Sequence, residues 1–585
     1  MNAHSAKFFL LILLFWAECA GVPALLGQKR VPEPEPPVSA SGSDTLQAHS
    51  RKQKMELPDV LVLGTSRERR TPKTKRAPVR SPAPPASVLN RTPLPPQQPD
   101  VALAAAVPSL QAVSRPTATS AGFRFGGFNT AELAFRHWQR QKDVEFSVAG
   151  QYGSSDGAYP NSQYERWRLG TEVQYHLAGG NVLRTGVEYR SNHYGLWGTP
   201  ARIRRKLEQL QGSFGLTSFR SGKISYGLEV RTYRLPLRSA MDRISANRLL
   251  DNTQEKGFVA SGRGSLSAGV WRIGGRAEYL SVTEKKPPLL DALAASPVSS
   301  SLRLATVRLT AERLLGAQGV FRFGLKWQSA ALPGGKKQRL FPVFALNYSL
   351  NSKTQLRLRY TGELRLLTLK NLSRSNPFLD FKLPADALEE HRQKITLGLA
   401  QQLSRDLTVK VTYQYGTAAN FHYWSRMDSS AGGPAGLFAL RPADKVHLAF
   451  LRAEVIWGTL TPLRVRARLQ ISGSGIDRLP DSGRPVLHKK IPYFEDVGLP
   501  VFVDYRVRKN LTLHGEFFYA GDRFASPYEL KSLKSIWLLN GELSYRLRFV
   551  EISLGARNIL NQKAEIWQGY PVPGLQLFLG VTSRF

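Results

Sequence analysis

LQLFLGVTSRF, residues 575–585, is the stretch on which the reading of this chain turns. Leu575, Leu577, Leu579, Val581 and Phe585 fall on one side of an extended strand, and Gln576, Thr582 and Arg584 fall on the other. Chain ends fray in water, so an apolar terminus with this alternation has to be held by a neighbour. One face seeks hydrocarbon and the other water.

The same alternation runs backward through the chain to Thr119. In DLTVKVTYQY, Leu407, Val409, Val411, Tyr413 and Tyr415 oppose Thr408, Lys410, Thr412 and Gln414. In PLRVRARLQI, Leu463, Val465, Ala467, Leu469 and Ile471 oppose Arg464, Arg466, Arg468 and Gln470, and LNGELSYRLRF repeats the pattern at residues 539–549. Short connections (LAGGN, RSGK, LNSK, LSRDL, RKN) join strands into pairs, and longer loops rich in Gly, Pro, Ser and Asp join one pair to the next. A soluble sandwich has short loops at both ends and seldom repeats strands of about 10 residues over such a length. In hydrocarbon every backbone group must be paired, which forces a sheet to close on itself with apolar side chains outward and polar ones toward a wet lumen. The expected fold is therefore all-β: a transmembrane antiparallel β-barrel of about 22 strands over residues 119–585. An even count places both barrel termini at the periplasmic side, where Phe585 anchors the closing strand at the interface.

Lys+Arg 81 against Asp+Glu 44 gives a formal charge of +37 and a pI near 10.4. Nucleic-acid binding would need clustered basic runs or a basic helix, whereas these arginines stand singly in alternating strands. The only cysteine, Cys19, lies in an export-signal-like start: Lys7, the apolar FFLLILLFW at 8–16, then small residues. Cleavage after Ala24 or after Cys19 fits, so residues 1–24 are assigned as a signal peptide, and the mature chain has no thiol for disulfides or metal. No stretch approaches 18 uninterrupted apolar residues, which excludes a helical membrane protein. No Walker loop, dinucleotide fingerprint, metal-ligand cluster or catalytic His/Asp/Ser constellation is evident, so neither an enzyme nor a cofactor is expected.

Residues 25–118 hold 16 of the 37 prolines and read as a disordered, partly extended segment. One island interrupts it, ELPDVLVLGTSRERR at 56–70, in which Val60, Leu61, Val62 and Leu63 have strand propensity and no local partner.

TSAGFRFGGFNTAELAFRHWQRQKDVEFSVAGQYGSSDGAYPNSQYERWRLGTEVQYHL, residues 119–177, resembles the opening barrel strands of TonB-dependent outer-membrane receptors. The far end, SLGARNILNQKAEIWQGYPVPGLQLFLGVTSRF, is similar to that family's last two strands, with Arg557-Asn558-Ile559-Leu560-Asn561 and Tyr570-Pro571-Val572-Pro573-Gly574 as landmarks. LPDVLVLGTS, residues 57–66, resembles the TonB box, the segment that offers a strand to the energy-coupling protein TonB; Leu57, Pro58, Asp59, Val60, Leu61, Val62 and Leu63 are its candidate residues. The resemblance implies transport across a Gram-negative outer membrane, contact with lipid and lipopolysaccharide, and insertion by the barrel assembly machinery reading Phe585 as its signal. The chain departs from the family between Arg67 and Thr119, where a plug domain of the usual size has no room. A separate plug protein would then be needed, or a passive or tail-gated pore, or a purely structural barrel.

Arg357, Arg359, Arg464, Arg466, Arg468, Arg546 and Arg548 share the lumenal parity and are the candidate lumen-lining residues. On the lipid face each would cost roughly 2–4 kcal/mol near the midplane. A basic lumen concentrates anions. The plainer account pairs these arginines with Glu363, Glu542 and Glu551, with loop cations meeting lipopolysaccharide phosphates.

Overall fold

The computed structural model describes residues 117–584 apart from 178, 200–201, 219–223, 242–247, 287–297, 385, 428–435, 459–460, 481–486, 488 and 530–531. The signal segment, the Pro-rich segment up to residue 116, the Leu57–Ser66 stretch and Phe585 lie outside the described residues.

Twenty-two antiparallel strands form one closed sheet, beginning with Thr117–Gly126 and ending with Gln576–Arg584. Each strand pairs with its neighbours along the chain. The ring closes where the first strand meets the last, in a register running from Ser120 opposite Arg584 to Gly126 opposite Phe578. Closure leaves no unpaired strand edge, which the alternation required. At Gly126 a side chain would overlap the ring of Phe578 and the carbonyl oxygen of Leu577, so this position admits only glycine without rearrangement.

The outward face is apolar throughout. Leu577 and Leu579 of the closing strand are 60% and 56% exposed, and Leu469, Ile471, Leu543, Tyr545 and Leu547 also face outward uncovered. A continuous belt of this kind belongs in lipid.

The two ends differ. One end carries tight turns such as Gln141–Val144, Asn351–Thr354 and Leu547–Val550. In the turn leading into Asn181, Gly179 and Gly180 hold φ of +85° and +79°, a region that side chains disfavour. The other end has two short reversals, Gly126–Thr130 and Leu332–Gly335, and otherwise long loops. Two of these contain small ribbons of their own, Arg523–Phe524 with Ser532–Leu533 and Glu565–Trp567 with Tyr570–Pro571. The helix Leu369–Ser375 lies in a third. The buried apolar residues concentrate at this long-loop end and on the wall beneath it.

Candidate functional site

Side chains from six long loops and the strand ends beside them meet in one cluster. Leu196, Ile203, Phe378, Met427, Leu437, Phe438, Tyr493, Ala525, Leu533, Trp567 and Tyr570 are all buried together. The ring of Phe378 stacks on Tyr570 with centroids 3.7 Å apart, and Trp197 meets both edge-on at 5.1 and 5.3 Å. Trp567 packs against Phe438 at 5.0 Å and Tyr493 at 4.7 Å. The loop holding Trp197 and the loop holding Phe378 leave the wall eight strands apart, about 38 Å at a spacing of about 4.8 Å per strand. Contact between them therefore requires both to lie across the mouth. The loops form a lid.

Polar contacts fix the same arrangement. Tyr570 donates its hydroxyl to the carbonyl of Gly436 (3.1 Å), Tyr194 and Arg205 donate to the carbonyl of Pro377 (2.8 Å each), and Arg523 donates to the carbonyls of Glu565 and Ile566. Backbone bonds from Phe438 N–H to Phe378 and from Asp380 N–H to Phe438 splice two loops. Buried polar backbone needs such partners, so opening the lid means exchanging them for water.

Beneath the lid, the loop 367–387 folds down onto the inner wall. Thr368 caps the helix Leu369–Ser375, and Glu255 accepts the N–H groups of Leu369 (2.6 Å) and Lys370 (3.1 Å). An acidic side chain at a helix N-terminus satisfies donors that have no partner within the helix. Tyr233 also donates to Glu255 (2.9 Å), and the Lys370 ammonium sits 3.9 Å over the Tyr233 ring. Burial, countered in part by these donors, pushes the Glu255 carboxyl up to about 7. Burial likewise pushes Glu495, in the loop before Val497, up to about 7 against the pull of Arg523.

The structure separates the arginines singled out by parity. Arg464, Arg466 and Arg468 alternate with outward Leu469 and Ile471 on the strand Leu463–Arg478, and Arg468 pairs with Glu454 at 3.1 Å. Arg464 stands opposite Asp504, whose carboxylate is bonded to His514. Arg546 pairs with Glu551 (3.0 Å), which Arg584 also reaches. Arg548 does not stand on the wall: it occupies the turn after Leu547 with φ of +46°, because the strand ends two residues before the alternation does. Arg357 and Arg359 lie on the strand Thr354–Leu366 and have no ion pair or hydrogen bond among the described residues. The expected pairing partners Glu542 and Glu363 serve Arg124 (2.7 Å) and Lys326 (3.9 Å). The lid aromatics went unnoticed in the sequence, where a lone Trp or Tyr in a polar loop carries no periodicity; only Tyr570 stood out, as a landmark of the resemblance. Among the described residues no group of His, Cys, Asp or Glu is placed to hold a metal ion.

No family model matches the sequence, and no curated protein matches it. Solved structures do. The siderophore receptor PiuA from Acinetobacter baumannii superposes with a TM-score of 0.63 at 10% identity, covering 81% of this chain and 82% of that one. The fold is that of a TonB-dependent receptor barrel. The FrpB iron transporter from Neisseria meningitidis (TM-score 0.63, 10% identity, 81% and 82% covered) and the copper transporter OprC (0.63, 10%, 80% and 80%) share the TonB-dependent receptor fold with this chain. At these identities the likeness concerns architecture.

Proposed function

We propose that the protein is an outer-membrane transporter of the TonB-dependent type, with its long loops as the outward gate. The observation that carries this reading is the lid: six loops lock together over the mouth of a barrel of this class, around a charged inner wall. A purely structural barrel gains nothing from so many separate contacts across its mouth, and an open passive pore would need them parted. Long loops face outward in such barrels, which puts the tight turns and both strand termini at the periplasmic side. Export by the signal segment at 1–24 and insertion by the assembly machinery, signalled by Phe585, belong to the same reading. Leu57–Leu63 is then the strand offered to TonB, since β-augmentation needs an unpaired extended segment.

Three neighbours are described as a siderophore receptor, an iron transporter and a copper transporter, so chelated iron and copper are the first cargoes to test. The experiment is accumulation of each metal in cells producing the full chain, with and without active TonB, beside site-specific crosslinking from residues 57–63 to TonB. The proposal expects TonB-dependent accumulation of one cargo and crosslinks that a Val60→Pro change abolishes, because proline removes a backbone donor. Crosslinks absent from the parent, with accumulation indifferent to TonB, would overturn energised uptake and leave a passive pore.

A further inference from the structure

Most arginines of the inner wall are matched to carboxylates. Arg166 meets Glu132 at 3.0 Å, Arg168 meets Glu188 at 2.6 Å, and Arg124 meets Glu542 at 2.7 Å. In one region cations line up side by side without a matching set of carboxylates. Across four consecutive strands, Arg263, Arg276, Arg308 and Lys326 stand directly opposite one another: Arg263 faces Arg276, Arg276 faces Arg308, and Arg308 faces Lys326. Their strand neighbours Val307, Leu309, Leu325 and Trp327 face outward, so the row faces inward at the level of the apolar belt.

Like charges placed directly opposite on adjacent strands repel. The carboxylates nearby do not cancel this row. Glu278 takes Arg276 at 2.9 Å, and Glu363 approaches Lys326 only to 3.9 Å although that lysine is 2% exposed. Arg263 and Arg308 have no hydrogen bond or ion pair among the described residues, and the Arg308 Nε is buried without a partner. Among the charges that bear most on Arg308 are Arg359, Arg276 and Arg322, opposed by Glu363. Arg322 is itself engaged by Glu312, whereas Arg359 is unpaired among the described residues. Residues 25–118 carry roughly twice as many Lys and Arg as Asp and Glu, so that segment has the wrong sign to neutralise the row.

We propose that this part of the inner wall is a binding site for a multiply charged oxyanion, a solute bearing phosphate, sulfate or carboxylate groups, centred on Arg308 between Arg276, Lys326 and Arg359. Guanidinium groups present paired N–H donors that match two oxygens of such a ligand, and several of them around one point favour an anion with more than one charge. The lysine, its side chain almost wholly covered, adds a compact charge to the field rather than a contact of its own. Arg308 is the contact, and the row around it sets the valence. This deepens the transport reading by naming a class of solute, and rests on it only for the direction of travel.

The test is calorimetric titration of the purified full-length protein, at low ionic strength, with inorganic pyrophosphate and separately with citrate. Saturable binding near one per barrel is expected with at least one probe, and the stronger of the two assigns phosphate-type or carboxylate-type recognition. Arg308→Gln should weaken that binding by about tenfold or more, the cost of a lost charge-assisted hydrogen bond. Arg308→Lys should retain part of it, and Arg168→Gln, whose guanidinium is held by Glu188 at 2.6 Å, should leave it intact. Heat-modifiable migration on gels verifies that each variant is folded. Absent or non-saturable binding, or equal weakening in Arg308→Gln and Arg168→Gln, would overturn the site and leave only a diffuse basic field. Uptake and binding are scored separately: intact binding without any uptake would sink the transport reading and leave the site standing.

Discussion

The Glu255 carboxylate accepts the N–H of Leu369 at 2.6 Å across 114 positions of sequence, tying the loop 367–387 to a strand five places away from the one it leaves. Glu255 is fully buried and stands directly opposite Glu284 on the next strand. Its carboxyl is pushed up to about 7, chiefly by burial and further by Glu284. A carboxyl whose proton is held more tightly in the docked loop than in the released one contributes stability that is complete below its ordinary value of 4.5 and is lost as pH rises through about 7. Lys370, held down to about 8 by burial and by Arg374, titrates above that window. Hydrogen exchange at residues 367–377, corrected for intrinsic chemistry, should therefore speed up between pH 5 and pH 7.5, and Glu255→Gln should flatten the dependence. Unchanged pH dependence in that variant would dissociate the loop from this carboxyl.

The lid should hold the pore shut. In planar bilayers the parent protein is expected to stay closed for most of the record, while Trp567→Ala combined with Tyr570→Ala should open it. Truncating a buried aromatic costs about 3–5 kcal/mol, enough to reverse a loop equilibrium of ordinary size. A parent that conducts freely would show that these contacts do not seal the mouth.

With the lid opened in this way, the wall charges become measurable. Neutralising Arg464 and Arg466 together should move the reversal potential toward cation preference, and high salt should shrink the change through screening. Arg468→Gln alone should move it the same way, because it removes a positive charge and frees Glu454 from its 3.1 Å partner.

The seam offers a test of closure. Gly126→Val should lower the heat-modifiable, membrane-inserted fraction, since its side chain would overlap Phe578 and the Leu577 carbonyl. Phe578→Ala in the same chain should restore part of that fraction, as the backbone obstruction remains. Normal insertion of Gly126→Val would mean that the two strands accommodate the bulk by shifting register.

What was legible in the sequence follows from the bilayer. A strand between lipid and a wet lumen must alternate, so LQLFLGVTSRF and PLRVRARLQI declared their two faces, and tight turns separated by long loops declared the pairing. Alternation alone misplaces Arg548, because it continues two residues past the strand into a turn that the positive φ of Arg548 begins. The row through Arg308 was half legible: parity turns each cation inward, but only the alignment of four strands sets them side by side. The contact of Phe378 with Tyr570 was not legible, since it depends on how loops rooted far apart on the ring reach across it.

The pairing of Ser120 with Arg584 also sets the order of assembly. Every other strand finds its partner within one hairpin, so the sheet can grow stepwise as the chain is delivered. The final pair joins the beginning of the barrel to its end, and no shorter chain offers both edges. Until that moment the growing sheet presents two raw edges, each a template for pairing with a stranger. A barrel of this topology is consequently closed only when its last strand arrives, and a chain without that strand lacks the edge that the first strand pairs with here.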